Sequence, residues 1–156
     1  MEKRWIILFV ILLFFVIGAY YLETQEEHNV TNTDVIDPDV IDPFSQEAKK
    51  DLIRLETPKD GDVIKSPLTI RGEARGNWFF EASFPVILTD WDGKIIAEHY
   101  ATAQDEWMTT DFVPFEAVLE FEKPSYGERG ALILKKDNPS GLPENDDALE
   151  ITVFYK

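Results

Sequence analysis

Phe115, Ala117, Leu119 and Phe121 occupy every second position of one run, with Glu116, Glu120 and Glu122 between them. A period of two sends alternate side chains to opposite faces, which specifies a strand with one buried and one wet face. A helix would repeat its apolar residues near 3.6. Leu149-Glu150-Ile151-Thr152-Val153 and Leu68-Thr69-Ile70-Arg71-Gly72 alternate in the same way. Strands of this kind belong to antiparallel sheets. Phe84–Thr89 and Lys94–Tyr100 flank Asp90-Trp91-Asp92-Gly93, where Asp-Gly accepts the positive φ of a tight turn, so these two runs are expected to pair. Leu52–Glu56 and Val63-Ile64 bracket Pro58-Lys59-Asp60-Gly61, another turn signal, and Ala131–Lys136 is a further short strand. The expectation for residues 51–156 is an all-β domain, an antiparallel β-sandwich of about seven strands. Phe80, Phe84, Phe115 and Phe121 are its core candidates.

The chain before this domain reads differently. Trp5–Leu22 is uncharged and almost wholly apolar, and as a helix it would cover about 27 Å, close to the hydrocarbon thickness of a bilayer. Trp5, Tyr20 and Tyr21 stand at its ends, where amphipathic rings favour the interface. A cleaved signal peptide would have a shorter apolar region and small residues at its exit. The exit here is Ala19-Tyr20-Tyr21-Leu22-Glu23, which favours an uncleaved transmembrane helix. Lys3 and Arg4 precede the span and Glu23, Glu26 and Glu27 follow it. The positive-inside rule then sets residues 1–22 as a cytoplasmic end plus anchor in the cell membrane, with the rest extracytoplasmic. Residues 23–50 are acidic and contain the duplication Asp34-Val35-Ile36-Asp37-Pro38, Asp39-Val40-Ile41-Asp42-Pro43. With little to bury and Pro blocking helix, this stretch is expected to be a flexible linker.

Charge and cysteine count exclude several functions. Thirty Asp+Glu against fifteen Lys+Arg argue against a nucleic-acid partner, because phosphate contacts need cations. With no Cys there is no disulfide framework, thiolate metal site or thiol nucleophile.

The domain resembles the Gmad2 family, the immunoglobulin-like domain named from bacterial spore germination proteins. The resemblance is carried by Pro58 with Gly61, Ser66-Pro67, Arg71-Gly72-Glu73-Ala74 and the block Trp78–Val86. It continues through Asp92-Gly93, Trp107–Phe115 and Lys135–Gly141, and covers nearly all of 52–155. It implies an immunoglobulin-like sandwich in a bacterial cell envelope, used for interaction and not for catalysis, with an envelope protein as partner.

Two loops carry candidate sites. Trp78, Phe79, Trp107 and Met108 are candidates for a binding surface, because exposed aromatics stack on sugar rings or anchor protein partners. The competing reading has such aromatics plugging the ends of the sandwich. Asp137, Asn138, Glu144, Asp146 and Asp147 offer oxygen donors of the type Ca²⁺ takes, but their spacing fits no calcium-loop pattern and suits a turn equally well. No cofactor motif, structural-metal motif or catalytic motif occurs; Glu73 and Glu81 could be imagined as a glycosidase pair, but carboxylates on strand faces are common in so acidic a chain. The expected function is a membrane-anchored, non-enzymatic interaction module. A carbohydrate or cell-wall glycan binder is the alternative, and a hydrolase a third possibility.

Overall fold

The structure, a computed structural model, describes residues 42–156. The Trp5–Leu22 span and residues 23–41 lie outside the described residues. No helix among the described residues is long and apolar enough to cross a membrane.

Among the described residues one short helix, α1 (Gln46–Lys49), precedes eight strands. These are β1 (Ile53–Thr57), β2 (Asp62–Ile64), β3 (Leu68–Arg75), β4 (Ser83–Asp90), β5 (Ile95–Ala103), β6 (Phe112–Leu119), β7 (Arg129–Lys135) and β8 (Ala148–Tyr155). The alternation read from the sequence is the burial pattern observed. In β6, Val113, Phe115, Ala117 and Leu119 are buried; in β8, Leu149, Ile151, Val153 and Tyr155 are. The Asp90–Gly93 turn forms as expected: Asp90 Oδ1 accepts from the Asp92 and Lys94 N–H groups, and Gly93 takes φ +78.

The strands form a single sheet in the order β1-β3-β6-β5-β4-β7-β8-β2. It curls so that non-adjacent strands share one core: Phe84 of β4 meets Phe115 of β6 edge-on at 4.9 Å, and Phe121 meets Tyr155 at 5.8 Å. Neither pair lies on adjacent strands. The expected sandwich is realised as one continuous, curled sheet. β5 is nine residues long, pairs with β4 along most of its length, and reaches β6 at Thr102 and Ala103. The strand count is eight, and one pairing is parallel, because Asp62–Ile64 lies alongside Val153–Tyr155.

Two further expectations change. Phe80 is 42% exposed and not part of the core. Glu81 and Ala82 take φ +49 and +63, and Phe80 and Ser83 exchange backbone hydrogen bonds across them. That two-residue turn points Phe80 outward. The folded body also begins before residue 51. Ser45 Oγ caps α1 by accepting from Ala48 N–H, Phe44 C=O accepts from Glu150 N–H at 2.9 Å, and Lys49 pairs with Asp147. Residues 42–50 are thus attached to the domain, which shortens the stretch read as linker.

Tyr155 supplies a pH signature. Its ring is buried, and its hydroxyl donates to Thr89 C=O. Burial, reinforced by the Asp90 charge, pushes its pKa from 10.0 up to about 12. The folded state therefore holds the phenol proton more tightly than the unfolded chain does. This contribution is complete below pH 10 and is lost as pH rises through 10 to about 12. Denaturant titrations across that window are expected to show falling stability in the native chain and a flatter profile in Tyr155→Phe.

Candidate interaction face

The structure separates the four residues read as one binding surface. Trp78 sits on a 3₁₀ turn (Gly76–Trp78) and is 1% exposed; Phe79 is 4% exposed and packs on Phe84 at 5.2 Å. Both belong to the core, which removes them from any exposed surface. Trp107 is half-buried against the same core, while Met108 is exposed. The chain turns so tightly between Gly76 and Ser83 that Trp78 and Phe79 both point inward and Phe80 points outward.

The acidic loop is held together by its own polar groups. Asn138 Nδ2 donates to Leu142 C=O and Asp146 Oδ1, and Ser140 Oγ donates to Asn138 Oδ1. Asp147 accepts from Ala148 N–H and pairs with Lys49. Those bonds engage oxygens of Asn138, Asp146 and Asp147 but not the carboxylates of Asp137 and Glu144, and among the described residues no group of three His, Asp or Glu is placed to hold a metal ion. Glu73 is paired with Arg54 at 2.9 Å on β3, and Glu81 is exposed on the Phe80–Ser83 turn.

A different surface stands out. β4 buries Phe84, Val86 and Leu88, so Pro85 and Ile87 face outward; β7 buries Leu132 and Leu134, so Ala131 and Ile133 do. Paired residues share a face. The registers therefore build a row Glu98–Ile87–Ile133–Glu150 across β5, β4, β7 and β8. Tyr100, opposite Pro85, lies beside it. The next row is Thr89–Ala131–Thr152, with Ile95 at its end. Tyr100 and Ile95 are each more than half exposed. Beyond this row, Trp91 and Tyr126 stand edge to face at 6.0 Å, 56% and 58% exposed. Gly127, at φ +78, lets the chain run against the indole: a Cβ there would lie 2.5 Å from Trp91 Cδ1. A hollow of about 310 Å³ opens beside Trp91, lined by Asp90, Arg129, Glu150 and Thr152 among others.

Sequence reasoning used Trp91 only as part of a turn and missed Tyr126. The signal was present in Trp91 itself. A turn between Asp and Gly needs side-chain caps and a positive φ, neither of which an indole supplies.

The domain is eight-stranded, curled and all-β, with Trp91, Tyr100 and Tyr126 exposed on it. The family model described as the immunoglobulin-like domain of bacterial spore germination, Gmad2, matches residues 52–141. This is more than half of the chain, and the chain belongs to that family. No curated protein and no solved structure matches it.

Proposed function

We propose that the chain is a membrane-tethered interaction module. It presents its immunoglobulin-like domain outside the cytoplasmic membrane of a bacterium and binds another envelope protein through the outer face of β5-β4-β7-β8, with no catalysis of its own. The observation that carries this reading is the Ile87–Ile133 row, flanked by Tyr100, Ile95, Trp91 and Arg129. Protein hot spots are enriched in Trp, Tyr and Arg around apolar centres, and a rigid sheet presents them at low entropic cost. The uncharged Trp5–Leu22 run, with Lys3 and Arg4 before it, supports the tether and its orientation. Confinement to the membrane raises the effective concentration of a partner held in the same bilayer.

A photoreactive residue at Ile133 is expected to crosslink one envelope protein in intact cells. Trp91→Ala combined with Tyr100→Ala should lower that yield about tenfold, the equivalent of roughly 1.4 kcal/mol. Equal crosslinking from Thr69, on β3, would remove this face as the interface. The second reading, glycan binding, moves from Trp78 and Trp107 to Trp91, whose exposed ring adjoins a polar hollow. Saturable binding on a glycan array that Trp91→Ala abolishes would favour it over a protein partner.

A further inference from the structure

Most free edges of the sheet carry devices that discourage pairing. β1 has a bulge between Leu55 and Thr57 and runs into Pro58, and β2 is three residues long. The edge of β8 is covered before it reaches β2: Glu150 N–H donates to Phe44 C=O, Gly61 N–H to Thr152 C=O, and Thr152 N–H to Asp60 Oδ1. Such protection is how soluble sheets avoid unwanted strands.

β5 has none of it. It is the longest strand and contains no Lys, Pro or Gly. Its ladder with β6 stops at Thr102↔Glu116, although β5 runs back to Ile95 and β6 on to Leu119. Gln104 N–H donates to Pro114 C=O at 2.8 Å, which fixes the phase of the alternation. In an antiparallel ladder every second residue aims its N–H and C=O at the same neighbour. On β5 those residues are Thr102, Tyr100 and Glu98; on β6 they are Glu116 and Val118. Beyond Thr102↔Glu116 the β5–β6 ladder ends: Tyr100 and Glu98 pair with β4 and Val118 with β3, but none of them pairs across the gap between β5 and β6. The strands enclose a cleft of about 430 Å³ lined by Glu98, His99, Val118, Leu119 and Glu120. Backbone groups in that position require a partner, either water or another strand.

The geometry points to strand addition: the cleft between β5 and β6 receives an extended segment of a partner protein that carries Lys or Arg at alternate positions. This rests on the reading of the domain as an interaction module and specifies how the partner is held. Main-chain hydrogen bonds to Glu98 and Tyr100 would supply affinity, as in other cases of strand addition. Charge selects the occupant. The lining has two carboxylates, Glu98 and Glu120, and no Lys or Arg. A second copy of a chain with net charge −15 would bring like charge to like, whereas a basic strand is complementary. A strand added here would lie beside Tyr100 and extend the Ile87–Ile133 face.

The test uses the full chain and a short synthetic peptide alternating Lys and Val, with amide hydrogen exchange as the readout. Exchange at Glu98, Tyr100 and Val118 is expected to slow about tenfold on adding the peptide. The N-methylated peptide, with equal charge but no N–H donors, should give no protection. The Glu98→Lys, Glu120→Lys double variant alters exposed positions only and should lose the effect. Unchanged exchange, equal protection by the N-methylated peptide, or protection that rises with protein concentration alone would each overturn strand addition. Persistent crosslinking from Ile133 in that event would leave the interaction reading standing; loss of both would end it.

Discussion

Phe115→Ala is expected to destabilise the domain by roughly 3–5 kcal/mol, the range for removing a buried aromatic ring. Phe115 is 2% exposed and meets Phe84 at 4.9 Å with the rings near perpendicular. Phe84 in turn meets Phe79 at 5.2 Å. This chain of rings joins β6 to β4, two strands that do not pair, so it holds the curl of the sheet. The space cannot refill cheaply. The neighbour on β3 is Gly72, with no side chain to move in; a Cβ there would lie 2.7 Å from the Phe115 ring. Small domains have only about 0.05–0.15 kcal/mol per residue to lose. Urea unfolding should show a lower midpoint with an unchanged slope. Phe80→Ala is the contrast: the residue is 42% exposed, and the change should stay within about 0.5 kcal/mol. If the two variants lost equal stability, the ring chain would not be what holds the curl.

What was legible in the sequence follows from the same physics. Period two records burial directly, so β3, β6 and β8 could be read, each having one face in the core and one in water. β5 gave no such pattern, because only Ala101 in it is fully buried. A strand that is mostly exposed and pairs with β6 only at its end has little reason to alternate, and this is why its role in joining the sheet was not visible. Trp78, Phe79 and Phe80 could not be sorted by periodicity either. A 3₁₀ turn followed by two residues at positive φ breaks the alternation on which such sorting depends. The attachment of residues 42–50 rests on one backbone hydrogen bond and one ion pair to residues about a hundred positions away, and composition does not encode contacts of that kind. The acidic loop was readable as a turn, since Ser and Asp cap backbone N–H groups through the same oxygens that would hold a cation.

The second large effect is expected from Gly76→Ala, at roughly 3 kcal/mol, the upper end of overpacking costs. A Cβ at Gly76 would lie 2.0 Å from Thr109 C=O and 2.2 Å from Trp107 C=O. Both obstacles are backbone, so no rotamer change relieves them. Gly76 N–H also donates to Asp111 C=O, and the adjoining Arg75 guanidinium donates to Thr110 C=O. Arg75 and Arg54 stack on the Phe112 ring at 4.0 and 3.9 Å, which fixes the start of β6. The segment through Trp107 and Met108 therefore rests on a glycine, and a methyl group must lift it. Trp107, half-buried in the native chain, should become more accessible to acrylamide in the variant. Gly93→Ala separates this clash from conformational strain alone: it has φ +78 but nothing within 4 Å of its Cβ. It should cost only about 1–2 kcal/mol and leave Trp107 quenching unchanged. The outer face of β4 and β7 lies on other strands, so crosslinking from Ile133 should survive Gly76→Ala in whatever fraction stays folded. Loss of that crosslink in the folded fraction would instead assign the partner to the Trp107–Met108 loop, the surface first suggested by the sequence.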